Sequence, residues 1–340
     1  MTEETAATGN LLNRRNAMKL AAAATGASTG MLFGSPAFAQ AADPAAKPLA
    51  SSAAESPKWF RFTLGETVVT VVLDGIRAGD GPHPTFGENQ PAEAVAELMR
   101  ANALPETRFA NGFCPVLVEK GGTLVLFDTG MGEGGRANGL GKLVERMAEA
   151  GYAPGDVDLV VLTHMHGDHI GGLLEGGKPA FPNARILAGQ VEYDFWTSAE
   201  AKAGPRAQGA QAVEKSVVPL KDKISLIAEG AEVLPGLTAH EAFGHSPGHL
   251  IFKLVEGDRT LWLTADTANH FVASLQKPDW EVRFDMDKAA AIATRRRVFD
   301  EISASGALFI GYHMPFPATG YAEKMDGGYR FVPLTYQLDV

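Results

Sequence analysis

The 340-residue sequence contains a single cysteine, Cys114, so no disulfide can close within the chain. It lies in the apolar segment Phe113–Val118, which suits a small buried hydrophobe; a nucleophilic thiol would need a histidine partner that the sequence does not supply. Basic side chains are also short: 30 Lys and Arg against 40 Asp and Glu give a formal charge of −10. An acidic body excludes nucleic acid as a partner and favours a small neutral substrate, although a locally positive metal cleft can still attract an anion. The mildly apolar stretch Leu20 to Phe33 is about 14 residues, short of the ~20 needed to cross a bilayer, so no stable membrane anchor is expected. No short-period repeat is present, which argues against a solenoid. What remains is the 45% apolar, 21% charged composition of a soluble globular protein, with material for one large domain or two small ones.

The first residues read as an address. Arg14 and Arg15 precede the weakly apolar stretch, and Ala37-Phe38-Ala39 supplies a small-residue cleavage signal. The paired arginines resemble a twin-arginine leader over residues 1–39, implying contact with that translocation machinery and a periplasmic or secreted product. Residues 40–57, rich in Ala, Pro and Ser, read as a flexible linker, leaving 58–340 as the folded domain.

Hydrophobic alternation predicts hairpins over Phe60–Leu64 with Thr67–Leu73 and over Val116–Glu119 with Thr123–Phe127, then a helix over Gly139–Ala150 and a buried strand Leu159–Leu162. A helix opened by Pro91 covers Ala92–Ala103. The second half follows the same pattern, with a strand Arg185–Ala188, a helix Gln190–Trp196, a hairpin Leu250–Val255 with Thr260–Leu263, a helix Lys288–Ser303 and a strand Ala307–Ile310. Hairpins followed by helices, twice over, imply two sheets packed face to face with helices outside.

The segment Thr163-His164-Met165-His166-Gly167-Asp168-His169 follows the buried strand and gathers three imidazoles and a carboxylate, donors that suit Zn²⁺ and its borderline neighbours. In extended geometry His164 and His166 point to one side, and Gly167 lets the chain turn so that Asp168 and His169 present a second pair. One metal can take each pair. The bland alternative, a polar surface loop, is hard to reconcile with such density in a chain of nine histidines. Each metal still lacks ligands, and three later places can supply them: Gly244-His245-Ser246-Pro247-Gly248-His249, Asp266 after Leu263-Thr264-Ala265, and His313 after Ile310-Gly311-Tyr312.

The set H-x-H-x-D-H, G-H-S-P-G-H, a strand-terminal Asp and a late His resembles the metal signature of the metallo-β-lactamase superfamily, and Asp128-Thr129-Gly130 is similar to its D-T-G turn. The resemblance implies an αββα sandwich of two mixed sheets with helices outside. It also implies two divalent metal ions, zinc first, with Mn, Co or Fe as alternatives. One would be held by His164, His166 and His245, the other by Asp168, His169 and His313, with Asp266 and a hydroxide bridging them. Asp168 or Asp266 would handle the proton in catalysis. Asp128 and His249 would brace the ligands, and a homodimer is the implied assembly.

Phe181-Pro182-Asn183-Ala184, Asp194-Phe195-Trp196 and the tail Gly328–Pro333 resemble the methyl-parathion-hydrolase and lactonase branch, which would place Trp196 against the substrate. Two features depart from it: Gly167 stands where that hydrolase has proline, and the Gly130–Gly141 loop has no phenylalanine for a leaving-group pocket. Other branches fit less well. A cysteine-ligand lactamase needs its thiol between the second and third motifs, a diiron branch needs glutamate at His166, and a nuclease would bring basic surface. Glyoxalase-type thioesterases share all seven ligands. The expectation is therefore a dinuclear hydrolase of lactones or aryl esters with phosphotriesterase activity beside it. The alternatives are a methyl-parathion-type phosphotriesterase or, in another class, a non-catalytic exported metal-binding protein. His240 and His270 are expected at the surface or cleft rim, and Phe271 and Trp280 in the core. His83 is assigned to a loop.

Overall fold

The computed structural model describes residues 58–335; the leader and linker expectations fall outside the described residues. One seven-stranded sheet runs Trp59–Leu64, Thr67–Val72, Val116–Lys120, Thr123–Phe127, Leu159–Leu162, Arg185–Gly189 and Ile224–Ile227 in spatial order. Its first four strands are antiparallel neighbours and its last four are parallel. The second sheet runs Glu232–Leu234, Leu237–Glu241, Leu250–Glu256, Arg259–Ala265, Leu308–Gly311, Thr319–Met325 and Gly328–Pro333, antiparallel except where Arg259–Ala265 meets Leu308–Gly311. Both sheets are mixed, as expected.

Alternation assigns the layers. Val118, Val125 and Val161 point into the core shared with Phe252, Leu261 and Leu263 of the second sheet. Their neighbours Leu117, Leu126, Val160 and Leu162 point outward, onto Leu143, Met147 and Val213 of the covering helices. A period of two thus feeds two separate cores from one run of apolar residues. On the far side, helix Lys288–Ser305 buries Val298, Phe299 and Ile302, and Phe299 meets Phe309 edge-on at 5.2 Å. Asp287 caps this helix by accepting from the Ala290 N–H, and Gly306 ends it in left-handed geometry.

One expected element is shorter than read. The helix over Gly139–Ala150 spans only Leu143–Glu149, because Gly139 and Gly141 adopt φ of +76° and +69° and hold the preceding segment as a loop. That loop is pinned by Asp74, whose carboxylate accepts from the backbone N–H groups of Met131, Gly141 and Leu143 at 2.9–3.1 Å.

A separate two-stranded ribbon, Gly75–Asp80 paired with Arg108–Phe113, was not anticipated from the sequence. Gly, Asn and Asp interrupt its alternation, so the strand signal is weak.

Candidate metal centre

Parallel neighbouring strands end on the same side, and the ligand-type residues sit just beyond such ends. His164 and His166 follow Leu159–Leu162, Asp266 follows Arg259–Ala265, and His313 follows Leu308–Gly311. Asp168 and His169 lie in the short turn of helix Gly167–Ile170, and His245 in the loop between Leu237–Glu241 and Leu250–Glu256. The Leu250 N–H donates to the Thr163 carbonyl at 2.9 Å and joins the two sheets beside the site. Asp128 and Ala265 hold φ of +60° and +42°, strained conformations for residues with a side chain, at the turns that aim Asp128 and Asp266.

The seven residues converge. The His166 Nδ1 lies 3.0 Å from His164 Nε2 and 2.9 Å from His245 Nε2. The second group joins Asp168 Oδ2 to His169 Nε2 at 3.5 Å and to His313 Nε2 at 3.4 Å. Asp266 lies between the groups: Oδ2 is 3.2 Å from both His245 Nε2 and His313 Nε2, and Oδ1 is 3.4 Å from His169 Nε2.

The residues behind the histidines fix which nitrogen faces inward. His169 Nδ1–H donates to Asp128 Oδ2 at 2.8 Å, His245 Nδ1–H to Asp285 Oδ1 at 2.9 Å, and His313 Nδ1–H to the Gly112 carbonyl at 2.9 Å. Each pairing leaves Nε2 directed at the centre, the arrangement found around metal-bound imidazoles. Asp128 is in turn held by the Thr163 N–H and hydroxyl at 2.9 and 2.8 Å. His249 does not ligate: its Nδ1–H donates to the Ala242 carbonyl, and its Nε2 accepts from the Asp266 N–H.

The donors fit metal ions. His169 Nε2 and Asp266 Oδ1 are buried with no hydrogen-bond partner among the described residues. Unsatisfied buried polar atoms are costly, and a cation between the groups would satisfy both. Three overlapping triads have ligand atoms close enough to share an ion: His164 with His166 and His245, His164 with His169 and Asp266, and Asp168 with His169 and His313. Electrostatics point the same way. Burial pushes His166 down to about 3, with the His245 charge adding to it. Burial also disfavours charge on His313 and His245, but the Asp266 carboxylate overcomes it and drives them to about 10 and about 9. Burial opposes ionisation of Asp168, yet His169 and His313 hold it at about 2. The carboxylates are thus held as anions by positive charge on the surrounding imidazoles, a charge that a metal ion would supply in their place.

Two further residues build the site and escape a reading of the sequence. Glu192, buried, accepts four bonds: from Met165 N–H and Trp196 Nε1–H through Oε1, and from Ser246 Oγ–H and Gly248 N–H through Oε2, at 2.7–2.9 Å. It clamps the chain on both sides of the first metal group. Gly248 permits this approach, since a Cβ there would meet Glu192 N at 2.2 Å. Arg295 pairs with Asp285 at 2.8 Å and donates to the carbonyls of Thr267, Pro278 and Trp280, linking the loops that carry His245 and Asp266. The i,i+4 spacing of Glu192 and Trp196 is visible in the sequence; nothing local marks Asp285 or Arg295.

Trp196 corrects an expectation. It is 2% exposed and absent from the cavity wall; its indole stands behind His166, centroids 5.9 Å apart, and donates to Glu192. An indole packed against a ligand and bonded to a buried carboxylate has no face left for substrate. His270 likewise is buried, not at the surface or rim. Its Nδ1 accepts from the N–H groups of Val272 and Ala273 and its ring lies 4.9 Å from Phe86. His83 contacts the Gln90 carbonyl and is not part of the cavity wall.

His270 carries a pH prediction. Burial lowers it to about 4, against ~6.5 when unfolded. The unfolded chain therefore takes up a proton first as pH falls, and stability is lost between about pH 6.5 and 4. The shift corresponds to about 3 kcal/mol at most. Asn at this position keeps an acceptor for the two N–H groups without titrating. Urea melts at pH 7.5 and 5.0 should show a smaller acid loss for His270→Asn than for the parent chain, and equal losses would remove His270 as the cause.

A cavity of about 950 Å³ opens over the centre. His166, Asp168, His245, Asp266 and His313 form part of its lining, and Phe109, Phe113 and Phe284 its aromatic wall. Phe113 meets His313 edge-on at 5.2 Å. Size and lining suit a small organic molecule. Two of the wall's three aromatics, Phe109 and Phe113, come from the unanticipated ribbon, while the glycine-rich loop Gly130–Gly141, where an aromatic would be sought by resemblance, contributes Met131 and Gly134.

Two mixed sheets with outer helices, and a converging His/Asp centre beneath an aromatic-walled cavity, define an αββα sandwich built to hold metal. Residues 115–300 match the family model of the metallo-beta-lactamase superfamily, and the chain belongs to that superfamily. His164 through Asp266 lie inside the matched segment; His313 lies beyond it. N-acyl homoserine lactonase AiiA of Bacillus thuringiensis subsp. kurstaki is 30% identical over 164 residues, covering 42% of this chain and 59% of its own length. The match therefore spans less than two thirds of those lactonases. Among solved structures, AidC, described as a dizinc quorum-quenching lactonase in complex with a product, superposes with a TM-score of 0.76 at 24% identity, covering 82% of this chain and 98% of its own. The hydrolase AbOPH gives 0.76 at 23% identity, covering 83% and 99%. At these identities the structures establish the shared fold.

Proposed function

We propose that this chain hydrolyses lactones and aryl esters at a dinuclear centre, with zinc as the metal its five imidazoles and two carboxylates suit best. The observation that carries the reading is Asp266, placed within 3.4 Å of one histidine from the first group and two from the second, at the floor of an aromatic-walled cavity. The lactonase names of the relatives support the choice of ester chemistry.

When bound, two such cations supply Lewis-acid activation of water and of the scissile carbonyl. The chain's own part is positioning. Asp128 and Asp285 hold the His169 and His245 rings by their Nδ1–H groups, and the Gly112 carbonyl does the same for His313. Asn269 donates to Asp266 Oδ2 at 2.9 Å and fixes the rotamer of that carboxylate. Asp168, partly exposed at the cavity floor and kept ionised, is the carboxylate placed to accept a proton from water at the site. The Tyr312 hydroxyl donates to the Asp168 carbonyl at 2.6 Å and steadies that turn. Phe109, Phe113 and Phe284 offer an apolar seat for an aryl or acyl group.

Phosphotriester hydrolysis is the second reading, because the same aromatic wall can seat an aryl leaving group. The absence of Trp196 from the cavity wall removes the pocket aromatic that the resemblance to the methyl-parathion type supplied. Metal-loaded protein assayed on dihydrocoumarin, an acyl-homoserine lactone and methyl parathion should show kcat/KM at least about tenfold higher on a lactone, about 1.4 kcal/mol of transition-state preference. Preference for methyl parathion would replace the first reading with the second.

A further inference from the structure

The cavity wall carries a charge pattern that lactone hydrolysis by itself does not require. Beyond the residues of the metal centre, three arginines line the cavity, Arg77, Arg206 and Arg283, together with one carboxylate, Asp80, and no lysine or glutamate. The chain as a whole is at −10, so a wall with more cations than anions runs against its average. The three come from separate elements: Arg77 from the strand Gly75–Asp80, Arg206 from the position preceding helix Ala207–Ser216, and Arg283 from the loop after Val282. Among the described residues, neither Arg77 nor Arg206 has a side-chain hydrogen bond or an acidic partner within 4.0 Å. Arg283 has only Glu88, its Nε at 3.9 Å, and Glu88 is engaged more closely by Lys288 at 3.0 Å. Most other arginines here are satisfied: Arg100, Arg136, Arg296 and Arg330 all hold carboxylates.

Guanidinium groups bind carboxylate, sulfonate or phosphate through paired N–H donors, and do so more strongly in a concave, partly apolar setting than on an open surface. Two unpaired forks, and a third whose only acidic partner is Glu88 at 3.9 Å, stand around an aromatic-walled cavity as such a receptor requires. We propose that the substrate bears an anionic substituent, of carboxylate type, away from the bond that is cut, and that Arg77, Arg206 and Arg283 bind it while the scissile ester reaches the metal centre. This rests on the hydrolase reading and deepens it by correcting the neutral substrate expected from overall charge. Asp80 is the one opposing group on the wall, so its removal should strengthen the effect.

Two measurements keep this proposal separate from the hydrolase reading. The first compares the metal-loaded enzyme on matched esters, monophenyl glutarate against phenyl pentanoate and 4-acetoxybenzoate against phenyl acetate. At least one anionic member should be preferred by tenfold or more in kcat/KM. The triple variant Arg77→Met, Arg206→Met, Arg283→Met should lose that preference while keeping its rate on the neutral ester and its metal content. The second is calorimetric titration of benzenesulfonate, an anion that coordinates metals weakly, into the same two proteins. Binding should weaken at least tenfold in the variant and, in the parent chain, fall as salt is raised. If benzenesulfonate binds as expected and neither ester pair turns over, the hydrolase reading fails and the anion site stands. If the esters turn over with no anionic preference, or benzenesulfonate binds parent and variant alike, the anion site is overturned.

Discussion

Asp266→Ala is expected to strip the centre of metal and to lower kcat/KM by about 10³-fold or more, beyond the 10- to 100-fold typical of losing a residue behind a ligand. The carboxylate reaches histidines of both clusters, with Oδ2 at 3.2 Å from His245 and His313 and Oδ1 at 3.4 Å from His169. Without it, His245 and His313 lose the anion that overcomes their burial, and the remaining donors fall into two incomplete sets. Asp266→Asn preserves volume but replaces an anion by a neutral group, and should retain the fold with reduced metal. Elemental analysis of the purified proteins reads the first effect and turnover of dihydrocoumarin the second. Two metals per chain and undiminished turnover in Asp266→Ala would dismiss the shared-ligand assignment.

Arg295→Leu should cost about 3–5 kcal/mol of stability, the scale seen when one partner of a buried ion pair is removed. Arg295 is fully buried, and its guanidinium is shared between Asp285 and the carbonyls of Thr267, Pro278 and Trp280. Its loss leaves Asp285 in the interior with the His245 Nδ1–H as its remaining partner. Arg295→Lys keeps the charge but cannot reach all four acceptors, and should fall between the two. Urea denaturation gives the stability. Metal titration supplies a second readout, because the affected group is the one containing His245, and a purely structural role elsewhere would leave its affinity untouched. A variant within about 1 kcal/mol of the parent would show that the pair carries no net stabilisation.

How much of the fold and site is legible in the sequence follows from how local each signal is. The His164–His169 cluster announces itself because its residues are chemically distinctive and contiguous; Asp266 and His313 each follow an apolar run that forms a strand, and His245 stands in the distinctive turn Gly244–His249. The layer order follows from alternation, since Val160 and Val161 must serve different cores. The residues behind the ligands are legible only in part. Asp128 stands out through its turn motif, whereas Asp285 and Arg295 are placed by tertiary packing across 40 and 50 positions from His245 and leave no local trace. Trp196 misleads for a related reason: an aromatic on a helix can face either side of a ligand, and the buried Glu192 that captures its indole decides which. The ribbon is hidden because its residues, Arg77-Ala78-Gly79-Asp80 and Asn111-Gly112, carry turn chemistry in a strand. Left-handed glycines displace the start of the helix that ends at Glu149.

That ribbon stands apart from both seven-stranded sheets. Its register sets Arg77 opposite Asn111 and Gly79 opposite Phe109, and these four positions, with Phe113, line the cavity, while Ile76 on the other face is 56% exposed. Its foot is fastened to the centre by the Gly112 carbonyl, by Asn111 donating to the Asn269 carbonyl and by Phe113 against the His313 ring, whereas Arg77, Gly79 and Phe109 make no hydrogen bond or ring contact with a ligand-type residue. Selection acting on the ribbon can therefore exchange one substrate for another through alternate residues of a single strand pair, while the seven donors and the sheets that aim them stay as they are. In a lineage that repeatedly meets new small molecules, this division lets the recognition surface diverge quickly and the metal centre slowly.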